Sequence, residues 1–329
     1  MRKLAVVFLI AASLVVVTGQ RPALAASPAY TNSQYLQTLN TSDNYDDGCS
    51  YGNGDVSGVH ILAVGRVAYD SSTDSFGTIS PSLGFWSNSA IFAAAEAWAQ
   101  GWFACSTSSP TIYIAVGVND SYDMGTCGSC GDKLPAMHGL PGGGTGTGSE
   151  AAGAYFGGWV AEFESNIESN PYDTQETAAG AFDAEPAWDP SPGWGKHTAA
   201  FDSEYNTHTS NPMFDFGSAE QGDVSLQDVY EVAYGEPDNY NFPEFYYGTN
   251  TGAEENWISG SSSEEGVDQW AYNSHLSFYI TGVNDDYNTP GCTLSPSQDY
   301  TDVLNTIQGA SNVNYQPAIE WITNFGVLC

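Results

Sequence analysis

The sequence predicts an α/β protein built as a single (β/α)8 TIM-type barrel. Three observations carry this reading. The chain has 329 residues, a length that suits one such barrel after removal of a short N-terminal leader. Apolar, strand-like runs alternate with helical stretches rich in Ala and aromatics. The strand parity is also one-sided. In the run 111–118, Ile112, Ile114, Val116 and Val118 share one face, opposite Tyr113, Ala115, Gly117 and Asn119. A bulky apolar face suits a covering layer of helices, and a smaller or polar face suits a barrel interior.

Taken in order, residues 1–25 read as a secretory signal peptide. Arg2 and Lys3 are basic, 4–17 is apolar, and Ala23-Leu24-Ala25 fits a cleavage site. The apolar core is too short to span a membrane, and no later segment approaches such a span. The mature chain is therefore expected to be secreted, extracellular and free of membrane contact. Residues 26–55 read as a polar N-terminal lead-in and 56–329 as the barrel domain. The first strand is expected at 59–67. A helix follows at 88–103, with Trp98 and Trp102 four apart and Ser87 or Asn88 as N-cap.

The second strand is 111–118. The stretch 119–148 then forms a long loop; its LPGGGTGTG segment lacks the Gly-Lys-Ser/Thr of a phosphate cradle. A helix at 149–169 spaces Tyr155, Phe156, Trp159, Val160, Phe163 and Ile167 along one side. The third strand runs to Asp183-Ala184-Glu185-Pro186, and a short helix follows near 197–208. The fourth strand, 212–216, sets Phe214 and Phe216 toward the helices and Met213 and Asp215 toward the interior. Strands five to eight are expected at 228–234, 244–248, 276–281 and 318–322, with helices near 252–260 or 266–273 and 297–309. Helices around strands four to six look short, which makes the barrel irregular there and leaves a doubly wound open sheet as the alternative.

Asp and Glu number 39 against 6 Lys and Arg, a formal charge of −33. Three of the cations lie in the leader, leaving Arg66, Lys133 and Lys196. Charged residues make up 14% of the chain, below the roughly 25% of ordinary domains, so cations are missing rather than acids added. Nucleic acid and anionic membrane surfaces are excluded as partners, because both need basic patches. Life in acidic surroundings is the reading that fits, since protonated carboxylates would leave such a chain nearly neutral.

Six cysteines in a secreted chain read as three disulfides: Cys49–Cys105, Cys127–Cys130 and Cys292–Cys329. The Cys-x-x-Cys pair reads as a loop clip, with redox activity the lesser alternative. The five His residues show no metal-ligand spacing, and no serine elbow or dinucleotide fingerprint appears. Acidic loops at 43–48 and 284–288 have the composition to hold calcium but do not match the EF-hand loop, whose third position falls on Tyr45. No metal and no cofactor is expected, and the chain is expected to be a monomer.

In an extended strand, residues two apart project to the same side, so Asp183 and Glu185 share a face and Phe182 opposes them. Two carboxylates at the end of a buried strand are costly as structure and useful as acid and base. Glycosidases use such a pair at about this separation. Asp215 is the third candidate catalytic carboxylate. Arg66, Asn119, Trp188, Tyr234, Tyr246 and Glu320 complete a ring of candidate substrate-binding residues at strand ends and the loops that follow them. Structural readings stand beside these: Asp183 and Glu185 as caps, calcium ligands or partners of Arg66, and Asp215 as a turn-initiating residue before Gly217.

The segment AAGAFDAEPAW resembles the Asp-x-Glu strand of barrel-fold muramidases and of related secreted glycoside-hydrolase-like domains. The resemblance implies Glu185 as the catalytic acid and Asp183 as its partner. The family carries an Asp on its first strand, where HILAVGRVAY has Arg66. It carries its pair on the fourth strand, whereas the pair here falls on the third of the expected strands. The resulting expectation is a secreted glycoside-hydrolase-like barrel acting on an extracellular or cell-wall polysaccharide. A non-catalytic carbohydrate-binding barrel is the rival, and a structural envelope protein the third reading.

Overall fold

The computed structural model describes residues 29–54, 56–70, 73–80, 84–107, 109–119, 148–169, 174–184, 194–217, 225–236, 238–242, 273–274, 282–285, 298, 301, 305 and 321–324. The chain enters as one extended run made of β1 (Ala29–Asn32) and β2 (Gln34–Tyr35). β1 lies parallel to β11 (Trp321–Asn324), and β2 lies parallel to β3 (Gly58–Asp70). At the break between them, the Ser33 hydroxyl accepts the Ile61 N–H at 2.8 Å, and the Thr31 hydroxyl donates to the Val59 carbonyl. Side chains thus replace part of the backbone ladder. This run was expected as a polar lead-in; it is instead the first barrel strand. Its polar sequence hid it, because it contributes hydrogen bonds more than apolar surface.

β3 pairs in parallel with β6 (Ile112–Asn119), β6 with β7 (Glu176–Asp183), β7 with β8 (Met213–Asp215), and β8 with β9 (Asn239–Asn241). At the other edge β11 pairs in parallel with β10 (Gly282–Asp285). Among the described residues the parallel strands therefore follow the order β10, β11, β1/β2, β3, β6, β7, β8, β9, eight strands in cyclic chain order. This is a (β/α)8 barrel, with the Asp-x-Glu strand, β7, in fourth place. Eight strands were expected, but β1/β2 was missed and 228–234 was counted as a strand, so the strands from 59–67 to 212–216 were each numbered one too low. The remaining two strands, β4 (Ser75–Ser80) and β5 (Gly84–Ser87), extend β3 as an antiparallel hairpin.

Helices separate successive barrel strands from β2 to β9. α1 (Thr41–Gly52) starts at Asn40, whose side chain accepts the Ser42 N–H at 2.9 Å. α2 (Asn88–Cys105) starts at the expected cap, Ser87, and α3 (Gly148–Glu168) buries Phe156, Val160, Phe163 and Ile167. α4 (Trp194–His208) and α5 (Leu226–Tyr234) follow. α1 and α2 approach closely at Gly48 and Gly101. A Cβ on Gly48 would lie 2.0 Å from the Trp98 carbonyl oxygen, and one on Gly101 would lie 2.0 Å from that of Tyr45. The Cys49–Cys105 disulfide, with Cα atoms 5.0 Å apart, joins the same pair of helices as expected. The other two expected pairs, Cys127–Cys130 and Cys292–Cys329, lie outside the described residues.

Several expectations change. The segment 228–234, expected as a strand, belongs to helix α5. Leu226, Val229, Tyr230 and Ala233 recur at helical spacing, and that period outweighs the shorter alternation read from the sequence. The sixth strand comes earlier than expected, at Asn239–Asn241, and the expected stretches 244–248 and 276–281 lie outside the described residues. Positions 298, 301 and 305 are helical, within the helix expected at 297–309. The last strand, Trp321–Asn324, overlaps the expected 318–322.

The core has two layers. Leu62, Val64, Ile112, Ile114, Val116, Val118, Ala178, Phe182 and Met213 pack beneath the helices. Val59, Ile61, Ala63, Ala115, Ala179, Ala181, Phe214, Phe216 and Phe242 fill the barrel interior. The parity expected for 111–118 holds. That expected for the fourth strand is reversed: Phe214 and Phe216 face inward, and Met213 faces the helices. The small residues of β3, β6 and β7 leave a void on one side of the barrel, and aromatics from β8 and the end of β9 occupy it. Gly117 shows how tight the fit is, since a Cβ there would lie 2.8 Å from Ile61 Cγ2 and 3.1 Å from the Phe216 ring.

Candidate functional site

Asp183 ends β7 and is 3% exposed. It follows Ala179 and Ala181 on the interior face, while Phe182 turns outward and stacks on Phe201 of α4 at 4.7 Å. Active sites of (β/α)8 barrels gather at this C-terminal rim of the strands. The register carries the row sideways: Asp183 is the Cα partner of Asn119, and Asn119 is the partner of Arg66. Three expected site residues on three adjacent strands, Arg66, Asn119 and Asp183, therefore stand level at the rim. One inward-facing step below them lie Tyr35, Ala63, Gly117 and Ala181, again in register.

Arg66 joins this row because of a β-bulge. Ala63 pairs with Gly117 and Gly65 with Val118, so Val64 is an extra residue, and Gly65 has φ +109°. A glycine tolerates that backbone without a Cβ clash. Before the bulge Leu62 and Val64 face the helices; after it Val67 and Tyr69 do. The parity has switched, and Arg66 lies on the interior side.

Asp215 stands on the other face of the sheet from Asp183, with the parity of Met213. Its carboxylate accepts the Gly217 N–H at 3.4 Å and the Ala184 N–H. Burial pushes its pKa up to about 7, and these two backbone bonds partly offset that. The strands are very close here: a Cβ on Gly217 would lie 2.3 Å from the Ala184 carbonyl oxygen. Asp215 therefore fastens the backbone at Ala184, between the two carboxylates of the motif. The turn-forming reading of Asp215 fits this geometry better than the catalytic one.

Tyr234 is displaced from the expected ring, because it ends a helix rather than a strand. It packs under the helical layer, and its hydroxyl accepts from the Asn241 side-chain amide at 2.7 Å. Glu185, Trp188, Tyr246 and Glu320 lie outside the described residues. Tyr35 was missed with its strand. The helix at 41–52 was missed with it, in the stretch expected as a lead-in, so nothing before 59–67 called for an earlier strand.

At the opposite end of β7, Glu176 is buried, and neither of its carboxyl oxygens has a hydrogen-bond partner among the described residues. Burial pushes its pKa up to about 9, so it is a neutral acid at physiological pH. His60, on the helix-facing side of β3, stacks on Trp98 at 4.2 Å and meets Tyr51 edge-on at 4.7 Å. Burial lowers its pKa to about 3, against a raising contribution from its bond to the Asn32 carbonyl. Among the described residues no three His, Cys, Asp or Glu side chains converge as a metal site, and no helix is long and apolar enough to cross a membrane.

No protein-family model and no curated protein matches this chain. Solved structures similar to it include the GH113 β-mannanase AaManA from Alicyclobacillus acidocaldarius in complex with ManMIm. That likeness is 10% identical, covers 92% of this chain and 87% of the other, and has a TM-score of 0.42. A GH113 β-1,4-mannanase is 8% identical over 91% of this chain and 88% of its own, at TM-score 0.42. The catalytic domain of a β-amylase from Paenibacillus polymyxa is 10% identical over 91% and 93%, at TM-score 0.40. Likeness at this level decides neither family nor activity, and the barrel assignment rests on the strand order.

Proposed function

We propose that this protein is a secreted glycoside-hydrolase-like barrel that acts on an extracellular or cell-wall polysaccharide by carboxylate acid/base chemistry. One observation carries the reading. Asp183 is a buried carboxylate on the interior face, at the C-terminal end of the fourth barrel strand, level with Asn119 and Arg66. In an extended strand residues two apart share a face, and on that sequence argument Glu185 is paired with Asp183. Glu185 is the proposed general acid, protonating the leaving glycosidic oxygen. Asp183 is the nucleophile, or the base that activates water on the opposite face of the sugar. Asp215 holds the segment between them through the Ala184 amide.

The fourth-strand position removes one difference from the muramidase-like pattern. The other remains, because the first barrel strand, 29–35, carries no acid. The proposal is accordingly the general one, a glycan-acting barrel, and not a muramidase. The rival is a barrel that binds glycan without cleaving it. A hydrolysis screen over neutral and acidic polysaccharides, run on the wild type beside Glu185→Gln and Asp183→Asn, tests the pair. Turnover lost by at least a hundredfold in both variants, with the fold intact, supports the enzyme. Equal binding without turnover in all three proteins supports the rival, and no binding of any glycan refutes both.

A further inference from the structure

The bulge at Val64–Gly65 has one chemical consequence: it sets Arg66 on the interior-facing side of β3, level with Asn119. With unbroken alternation, the residue at 66 would share the helix-facing side of Leu62 and Val64. The extra residue turns it inward, level with Asn119 and two strands from Asp183. Among the described residues with placed side chains, Arg66 is the only Lys or Arg. The chain has 39 acids against 6 cations, so cations are scarce almost everywhere, yet one is kept at the rim and steered there by a glycine at φ +109°.

From this we propose that Arg66 is a specificity residue that receives a carboxylate of the substrate, so that the glycan cut or held at this rim is an acidic one, bearing uronate-type or other carboxylated sugars. The inference rests on the glycan reading above. An arginine fork is always charged and matches a carboxylate with two parallel N–H···O bonds, which a lysine does not do. The negative charge of the whole molecule does not oppose this at contact range. Exposed charges beyond about 8 Å are largely screened at physiological salt, whereas a half-buried pair is not. In so acidic a protein, an anionic ligand needs a local cation to bind at all, and Arg66 is the one the rim provides among the described residues.

The test compares a polyuronate oligosaccharide with the same oligosaccharide after chemical reduction of its carboxyl groups to neutral alcohols. Binding and turnover are measured for the wild type, Arg66→Gln and Arg66→Lys. The expected result is a wild-type preference for the acidic form of about 10- to 100-fold, the range set by a hydrogen-bonded charge pair. Arg66→Gln is expected to lose most of that preference, its loss on the acidic form exceeding any loss on the neutral form by about 10-fold or more, with Arg66→Lys intermediate. Should Arg66→Gln unfold, the wild-type preference still decides the matter without a variant. Equal loss on both forms in a folded Arg66→Gln would make Arg66 a structural partner of the rim and overturn the proposal. A wild-type preference for the neutral form would overturn it while leaving the glycan reading intact. Failure to bind either form, or any glycan in the screen, would remove the glycan reading itself and this inference with it.

Discussion

Replacing Glu176 by glutamine tests whether the buried base of β7 holds a neutral acid. The side chain is buried, and both oxygens lack partners among the described residues. Its pKa moves from 4.5 to about 9 because burial penalises the charged form. The unfolded chain releases this proton near 4.5, while the folded chain keeps it until about 9. Stability is therefore undiminished below 4.5 and falls as pH rises through that window. Each pH unit costs about 1.4 kcal/mol, so at pH 7 the wild type has lost about 3 kcal/mol through this group. Glutamine does not ionise. Glu176→Gln should match the wild type at pH 4 and exceed it by about 3 kcal/mol at pH 7, read from urea unfolding at both pH values. A difference between the two proteins that is the same at pH 4 and pH 7 would refute the reasoning, since it would mean that Glu176 ionises normally in the fold.

His60 should produce the opposite slope. Its folded pKa of about 3 lies below its ordinary 6.5, so stability is complete above 6.5 and falls as pH drops toward 3, by up to about 5 kcal/mol. His60→Phe should flatten that acid limb in the same unfolding series. Glu176 and Asp215 both lose stability as pH rises above their ordinary 4.5 and 3.8 and together outweigh His60, so these three groups place the wild-type stability maximum at about pH 4; a maximum well above pH 7 would contradict this and the acid-adapted reading of the composition. Removing the Cys49–Cys105 bridge, which spans 56 residues, by changing both cysteines to serine should cost about 4 kcal/mol of unfolding free energy at constant pH. Gly117→Ala should destabilise by about 1–3 kcal/mol, because its Cβ would press on Ile61 and Phe216; thermal unfolding of the variant checks this.

The site was legible in part, and the reason differs by residue. Asp183 and Phe182 could be assigned to opposite faces because a strand alternates with a period of two, and a buried acid beside an outward phenylalanine has few structural uses. Asn119 followed from the same alternation in 111–118. Arg66 was named as a rim residue, but the bulge that takes it there cannot be seen in the alternation of HILAVGRVAY. Asp215 was placed on the wrong side because alternation separates two faces without saying which one is inside.

The amino-acid sequence alone determined the periodic features. These are the helix capped at Ser87, the one-sided apolar face of β6, and the carboxylate at the end of β7. Each is written in local spacing, and local spacing survives whatever the rest of the chain does. Tertiary structure decided what depends on neighbours distant in sequence. It made a polar run the first strand, because Thr31 and Ser33 meet the backbone of β3. It turned Phe214 and Phe216 inward, because Ala115, Gly117, Ala179 and Ala181 leave room that only large side chains fill. It also brought Arg66, Asn119 and Asp183 into one row, because strand register, unlike strand periodicity, is a relation between segments that no single segment contains.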